Sequence, residues 1–424
     1  MPSVFQTLDW VRKTNIYEVN VRQYTAEGSL NAFARHLSRL RDMGVETLWF
    51  MPIHPIGKIK RLGTLGSYYS ISDYKTINPE FGTMDDFKSL VNQTHVMGFK
   101  IIIDFVTNHT AWDHEWTKTH PDFYIKSEEG NFVSPYDWED VIQLDHKSIA
   151  QQQAMIDCMQ FWVKECDIDG FRCDMAHLTP LDFWKKARTE LDAIKPLFWL
   201  AETEHSEYHE IFDASYTWEF LHKMEKFGQG KTNIDGLEEV LIKYEKNFPA
   251  EAIRMFFTSN HDENSHSGSE YERMRDTAMP FAVFCATWDG IPLIYSGQEL
   301  PVTKRISFFN KDEIHWTNDI KLHEFYKTLL HLHSSHPALK ADNSETKPDR
   351  INTNDEENVF AFSRKKNSSE VLVILNLSFN DLEVEITDDR VEGEYKNIFS
   401  GENKNLLGDK KLFMKRWDYQ VLIK

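Results

Sequence analysis

The chain has 424 residues, 41% of them hydrophobic and 27% charged, with 67 acidic against 48 basic side chains and a formal net charge of −19. That apolar share can bury a core, which excludes a disordered chain, and the length exceeds one ordinary core, which predicts one large domain and a smaller one. The acidic balance excludes a nucleic-acid backbone or an anionic membrane as the main partner, because both need a basic face, and it fits a neutral or cationic substrate.

The N-terminus, MPSVFQTLDWVRK, has no basic stretch followed by an apolar one, so no signal peptide is predicted. The protein is expected in the cytoplasm, or exported with its signal peptide already absent. Ile16–Val21 (IYEVNV) reads as a first strand. Ser29 then caps a helix with Leu30, Phe33, Leu37 and Leu40 on one face, and Gly44 ends it. Glu46–Met51 is a second strand, followed by a long loop, Pro52 to Glu80. Thr83 opens a helix with Asp86 as its capping-box partner and Gly98 as its stop. Lys100–Val106 is a third strand, and a second long loop runs from Thr110 to Lys147. A helix with Met155, Ile156, Met159 and Trp162 comes next. Further strands are expected at Gly170–Met175, Leu197–Glu202, Ala214–Trp218, Arg254–Ser259 and Ile291–Tyr295. The longest apolar run, Met279 to Tyr295, is broken by Pro280, Asp289, Gly290 and Pro292, so no membrane span is expected. Cys158, Cys166, Cys173 and Cys285 form no CxxC pair and sit in apolar stretches, which predicts reduced, buried thiols.

Eight strands separated by segments long enough for crossover helices predict an α/β fold, a (β/α)8 TIM barrel. A doubly wound open sheet is the competing topology, but no GxGxxG follows an early strand. After an amphipathic helix near His323 to Leu339 the texture changes to short β-rich runs: Val359–Ser363, Val371–Leu377, Leu382–Ile386 and Tyr419–Ile423. These predict a C-terminal antiparallel β-sandwich. The domain reading is a catalytic barrel over 1–342, carrying a short inserted subdomain at 110–146, and a β-sandwich over 343–424.

The C-terminal ends of the strands hold the informative residues, because catalysis on such a barrel gathers there. Asp104 closes the third strand. Arg172 and Asp174 end the fourth, and their i, i+2 spacing puts both on one face. Glu202 ends the fifth, and His261 and Asp262 follow the seventh. A lone Asp at a strand end is most often a helix cap or a surface charge. Four strand ends carrying such groups are better explained by one shared site. Several carboxylates with no Ser or Cys nucleophile signature suit glycoside hydrolysis. Asp174 fits the nucleophile, since Arg172 would favour its ionised form. Glu202 follows the apolar run LFWLA, where desolvation would favour its neutral form, and so fits the general acid. Asp262 is a third carboxylate, placed to stabilise positive charge on a sugar or to bind its hydroxyls. His109 and His261 each follow an Asn at a strand end and could bond sugar hydroxyls. Metal ligation is the other option for such residues, but no HExxH is present. Trp49 and Trp199 lie within strands and read as core. Tyr69, Trp112, Trp116 and Trp138 lie in the long loops, where they could stack on sugars.

The segments DFVTNH (Asp104–His109), GFRCD (Gly170–Asp174), WLAET around Glu202 and SNHDEN (Ser259–Asn264) resemble the four signature regions of the α-amylase family of glycoside hydrolases, in the same order. Gly66 to Phe87 is similar to that family's segment before the third strand. The resemblance covers roughly residues 10 to 340. It implies Asp174 as nucleophile, Glu202 as general acid/base and Asp262 as transition-state stabiliser. It also implies Tyr69 as a stacking platform, Arg172, His109 and His261 as residues around the cleaved sugar, and Asp104 as a structural partner of Arg172. The implied reaction is retaining cleavage by double displacement of α-glucosidic bonds, α-1,4 first, in starch, glycogen or maltooligosaccharides. That assignment carries an expected separation of about 5–5.5 Å between nucleophile and acid/base. The alternative is a transglycosylase or isomerase of the same family, making branched, cyclic or trehalose-type products. A catalytically dead binding protein would lack one of the carboxylates, and none is missing. The implied partner is an α-glucan or maltooligosaccharide, with no nucleic acid and no membrane. No cofactor is implied for the chemistry. A structural calcium is left open, with Asn108 matching a family calcium ligand; separately, the resemblance offers Asp145 (QLDH) as part of a further subsite motif. His177 and Leu178 stand where many members have Lys-His, so that lysine contact and a backbone calcium contact do not carry over.

Overall fold

The computed structural model describes residues 5–341 and 346–424. Eight strands close into a parallel barrel: β1 (Ile16–Val19), β2 (Thr47–Phe50), β3 (Lys100–Phe105), β4 (Gly170–Cys173), β5 (Phe198–Ala201), β6 (Ala214–Tyr216), β7 (Ile253–Phe257) and β8 (Ile291–Tyr295). Neighbours in the barrel are neighbours in sequence, and β8 returns to β1 through Ile16–Leu293 and Glu18–Tyr295. Seven of the eight barrel strands fall within the expected runs, and β7 starts one residue ahead of its run, at Ile253. Their residues are buried on both faces save Lys100, as expected of strands with core inside and helices outside.

Local chemistry sets the helix starts. The side chain of Thr83 accepts from the Asp86 backbone while Asp86 bonds back to Thr83, a complete capping box on α1 (Met84–Val96). The helix capped by Ser29 breaks into two short ones, Leu30–Ala34 and Leu37–Asp42. The helix after the second long loop is α2 (Ile149–Cys166), with Met155, Ile156, Met159 and Trp162 all buried. All four cysteines are free and buried. No described helix is long and apolar enough to cross a membrane.

The loop after β3 forms a small lobe around an antiparallel pair, His109–Ala111 with Val141–Gln143. The C-terminal part holds a six-stranded antiparallel sheet and a second sheet of two strands, Leu382–Glu385 and Lys411–Met414. Strand Val359–Lys366 turns into Ser369–Asn376 through Asn367, whose positive φ of 56° suits a tight hairpin. Side chains alternate between two cores. Val359, Ala361, Leu372 and Ile374 meet Val384, Leu412 and Met414 of the small sheet, which makes the sandwich. Phe360, Phe362, Val371 and Val373 face the barrel and belong to its core. Trp288 packs on Phe362 at 4.9 Å between ring centres. Arg364, fully buried, donates to the carbonyls of Trp288, Leu339, Lys340 and Thr346 and to Asp289. The expected domain boundary at 342/343 lies outside the described residues.

Candidate active site

Arg172 on β4 is the centre of the barrel mouth. β3 and β4 pair so that Asp104 lies directly opposite Arg172. The guanidinium is wholly buried and faces three carboxylates. Its Nη1 donates to Asp104 Oδ1 at 2.9 Å and to Asp174 Oδ1 at 3.0 Å, and its Nη2 lies 2.9 Å from Glu202 Oε2. The Nη2 approach is off the hydrogen-bond axis, so Glu202 is held there by charge more than by a directed bond. Nε donates to Tyr216 at 3.1 Å. Glu202 instead accepts the backbone N–H of Met175 at 2.7 Å. Met175, next to Asp174, has φ 40° and ψ 48°, a left-handed conformation that costs a non-glycine residue of order 1 kcal/mol or more. That strain turns its N–H towards Glu202.

A second chain of bonds crosses the mouth. The Tyr69 hydroxyl donates to Asp104 Oδ2 at 3.0 Å and lies 2.7 Å from His261 Nε2. The same nitrogen is 3.2 Å from Asp262 Oδ2. His261 Nδ1 lies 2.5 Å from Glu18 Oε1 on β1. The Tyr69 and His261 rings stack at 5.4 Å. His109 is buried, meets the edge of Trp138 at 5.5 Å, and has its proton affinity lowered to about 4 by burial.

Burial raises the proton affinity of Glu202 to about 7, with Arg172 opposing the rise. Burial likewise raises Asp174 and Asp104 to about 6 against the same guanidinium. The sequence expectation that Arg172 singles out Asp174 for ionisation is refined: the guanidinium serves all three carboxylates, and Glu202 holds its proton to the highest pH of the three. Burial also opposes the charge on Asp262, but His261 outweighs it and holds the group down at about 2. Five carboxyl groups here face one guanidinium and one imidazole, so the site favours positive charge developing in its middle.

Asp174, Glu202, Asp262, Tyr69 and His109 line one cleft of about 370 Å³, with Asp137, Trp138, Asp140, His266, Phe308 and Phe309 completing its walls. Arg172, His261 and Asp104 stand beneath it, bonded to the lining residues. Of the loop aromatics that could stack on sugars, Tyr69 and Trp138 are in this cleft. Trp112 and Trp116 are elsewhere: Trp112 bonds the Glu139 carbonyl under Lys60, and Trp116 packs on Tyr74 and Phe123. Trp49 and Trp199 are core, as read. A separate apolar cleft of about 270 Å³ lies between helix Ile234–Asn247 and the C-terminal sheet. Its carboxylates Glu238, Glu245 and Asp289 are each tied to a separate cation, Arg350, Lys347 and Arg364, whereas Asp174 and Glu202 converge on one guanidinium.

Sequence reasoning missed Glu18, Phe308 and Phe309. Glu18 satisfies the very criterion used for the others, an acidic residue near the end of a barrel strand. The phenylalanines reach the cleft because the loop after β8 is tied back by Arg22 and Gln23, a tertiary contact with no local signal. Among the described residues, one trio could offer three metal ligands together, Asp42, His323 and Glu324. It is largely exposed, and Asp42 already holds Lys327. Asn108 is buried with its side-chain oxygen unpaired, which is the donor a hard cation would use.

Residues 10–143 and 124–346 match the family model for the α-amylase catalytic domain, and residues 351–419 match that for the α-amylase C-terminal all-β domain. A solved maltogenic α-amylase from Thermotoga neapolitana superposes with a TM-score of 0.90 at 29% identity, covering 98% of this chain and 99% of that one. An α-amylase of Haloarcula japonica is 26% identical over 91% of this chain. An α-1,4-glucan:maltose-1-phosphate maltosyltransferase of Cereibacter sphaeroides is 25% identical over 76%. The chain spans 59% of the length of each of these two relatives.

Proposed function

The chain belongs to the α-amylase family of glycoside hydrolases, and from that premise we propose that it cleaves α-glucosidic bonds, α-1,4 bonds first, in starch, glycogen or maltooligosaccharides with retention of configuration. The observation that carries this reading is the pair Asp174 and Glu202, held on one guanidinium at the floor of a cleft, with Glu202 the harder of the two to ionise. Ionised Asp174 attacks the anomeric carbon while Glu202 gives its proton to the departing glycosidic oxygen. The bond from that oxygen to carbon breaks as the bond to Asp174 forms. Water then attacks the same carbon and gives its proton to Glu202, and Asp174 leaves. Asp262, ionised at every working pH, faces the positive charge that builds on the ring between these states. Tyr69, Trp138 and Phe308 offer aromatic faces to the apolar faces of the sugar.

No cofactor enters this chemistry. A structural calcium would take Asn108 as a donor, and its presence is tested by whether a chelator lowers the melting temperature. The reading as a whole is tested by Asp174→Asn on maltoheptaose. Loss of all product supports it, and full activity overturns it. Transfer is the second reading, favoured by the likeness to a maltosyltransferase. Products longer than the maltoheptaose supplied would identify transfer, and only shorter ones hydrolysis.

A further inference from the structure

Glu18 is a fully buried carboxylate that the cleavage steps do not use. It projects from β1 beside β8, and its Oε2 has no hydrogen-bond partner among the described residues. Its other oxygen lies 2.5 Å from His261 Nδ1. What this contact does follows from counting protons along the chain of bonds. With Asp104 ionised, the one proton of the Tyr69 hydroxyl goes to its Oδ2. The lone pair of that hydroxyl therefore faces His261 Nε2 at 2.7 Å, so Nε2 must carry a proton. The carboxylate of Asp262, 3.2 Å from Nε2, requires the same. The carboxylate of Glu18 requires a proton on Nδ1 as well. An imidazole with a single proton would leave one of these carboxylates facing a lone pair unless that carboxyl kept its own proton, which burial favours at Glu18 and the charge on His261 opposes.

We propose that Glu18 is a positioning residue: by accepting from Nδ1 it holds His261 as the doubly protonated imidazolium, whose Nε2–H is fixed on Asp262 and Tyr69. The groups facing His261 from every side agree with a cation there. Glu18 comes from β1, Tyr69 and the edge of Trp49 from β2 and the loop after it, and Asp262 from its own turn. Asp104, through Tyr69, is balanced by Arg172, and Phe308 closes the outer side, with His266 beyond it. Burial works against the charge, but Asp262 and Glu18 together hold the imidazolium well above the ordinary histidine range. The inference rests on Asp262 acting as the stabilising carboxylate, and gives that role a support built on β1, two strands along the barrel from β7.

The test has two arms. Nitrogen NMR of the wild-type protein labelled at histidine, with His261 assigned by His261→Gln, should show both ring nitrogens protonated from pH 5.5 to 8.5. A neutral His261 at pH 7 overturns the proposal. This arm uses no substrate, so its failure is separate from a failure of the cleavage reading, which Asp174→Asn tests. In the second arm, Glu18→Gln keeps the size of the side chain but removes its charge, leaving Asp262 alone against burial, so the His261 proton is lost at a lower pH than in the wild type. The ratio of kcat/KM for Glu18→Gln to that of wild type should fall about 10- to 100-fold between pH 5.5 and 8.5, the size of one charge-assisted hydrogen bond. Taking the ratio cancels the limb due to Glu202. A ratio flat with pH, even with a lowered melting temperature, means that Glu18 only packs, and overturns the proposal.

Discussion

Replacing Glu202 with Gln should abolish most activity and yet stabilise the protein, and the pH dependence of that gain is fixed by the site. Glu202 binds its proton at about 7 rather than the ordinary 4.5, with burial as the main cause. At 1.36 kcal/mol per pH unit, that gap means the folded state disfavours the charged form by about 3 kcal/mol. Gln has the same shape, carries no charge and still offers an oxygen to the Met175 N–H, now 2.7 Å from Glu202 Oε2. Below pH 4.5 the wild-type Glu is neutral in both states, so the variant gains nothing. Between pH 4.5 and 7 the unfolded chain ionises while the folded one keeps its proton, so wild-type stability falls with pH. Above 7 the gap levels off at about 3 kcal/mol in favour of Glu202→Gln. Urea unfolding of both proteins at pH 4.5, 6 and 8.5 measures it. A variant no more stable than wild type at pH 8.5, or a gap of the same size at every pH, would refute the reasoning. Activity on maltoheptaose should drop about 10²- to 10⁴-fold, the usual worth of a general acid. Activity on α-glucosyl fluoride should drop far less, because fluoride leaves without that proton.

Three further outcomes follow from the same geometry. The pH profile of kcat/KM should be bell-shaped, rising as Asp174 ionises near about 6 and falling as Glu202 ionises near about 7, with both limbs belonging to the coupled site; a flat profile from pH 5 to 8 would contradict it. Tyr69→Phe removes the hydroxyl between His261 and Asp104 and should lower kcat about 10- to 100-fold with the fold intact, as read by steady-state kinetics beside circular dichroism. Thr83→Ala opens the capping box of α1 and should cost about 1 kcal/mol in urea unfolding while kcat/KM stays unchanged.

The barrel was legible because its strands are short, mostly apolar runs buried on both faces, and because several helices, such as α1, α2 and Ile234–Asn247, open on a capping side chain. What blurred was local: the helix capped by Ser29 splits near Arg35 and His36, where no sequence signal marked a break. Within the site, Asp104, Arg172, Asp174 and Glu202 could be read because the strand places them, and β geometry is periodic. Glu18 met the same criterion and was passed over, since IYEVNV drew attention as a strand rather than for the acid inside it. Trp112 and Trp116 show the opposite case. An aromatic in a long loop can turn back onto its own lobe as readily as towards a substrate, and residue type does not decide which. Phe308 and Phe309 enter the cleft only because distant Arg22 and Gln23 hold their loop down.

The C-terminal sheet has a consequence for how the molecule comes apart. Its inner face carries Phe360 and Phe362 against Phe284 and Trp288, and Arg364 pins the carbonyls of the linking segment. Removing that sheet would strip the flank of helix Ala278–Thr287 to water, and β8 follows that helix directly. The barrel and the sandwich are two domains by topology and one cooperative unit by energy. Melting should therefore proceed as a single transition, and the catalytic mouth should be lost at the same temperature as a sheet that contributes no residue to it.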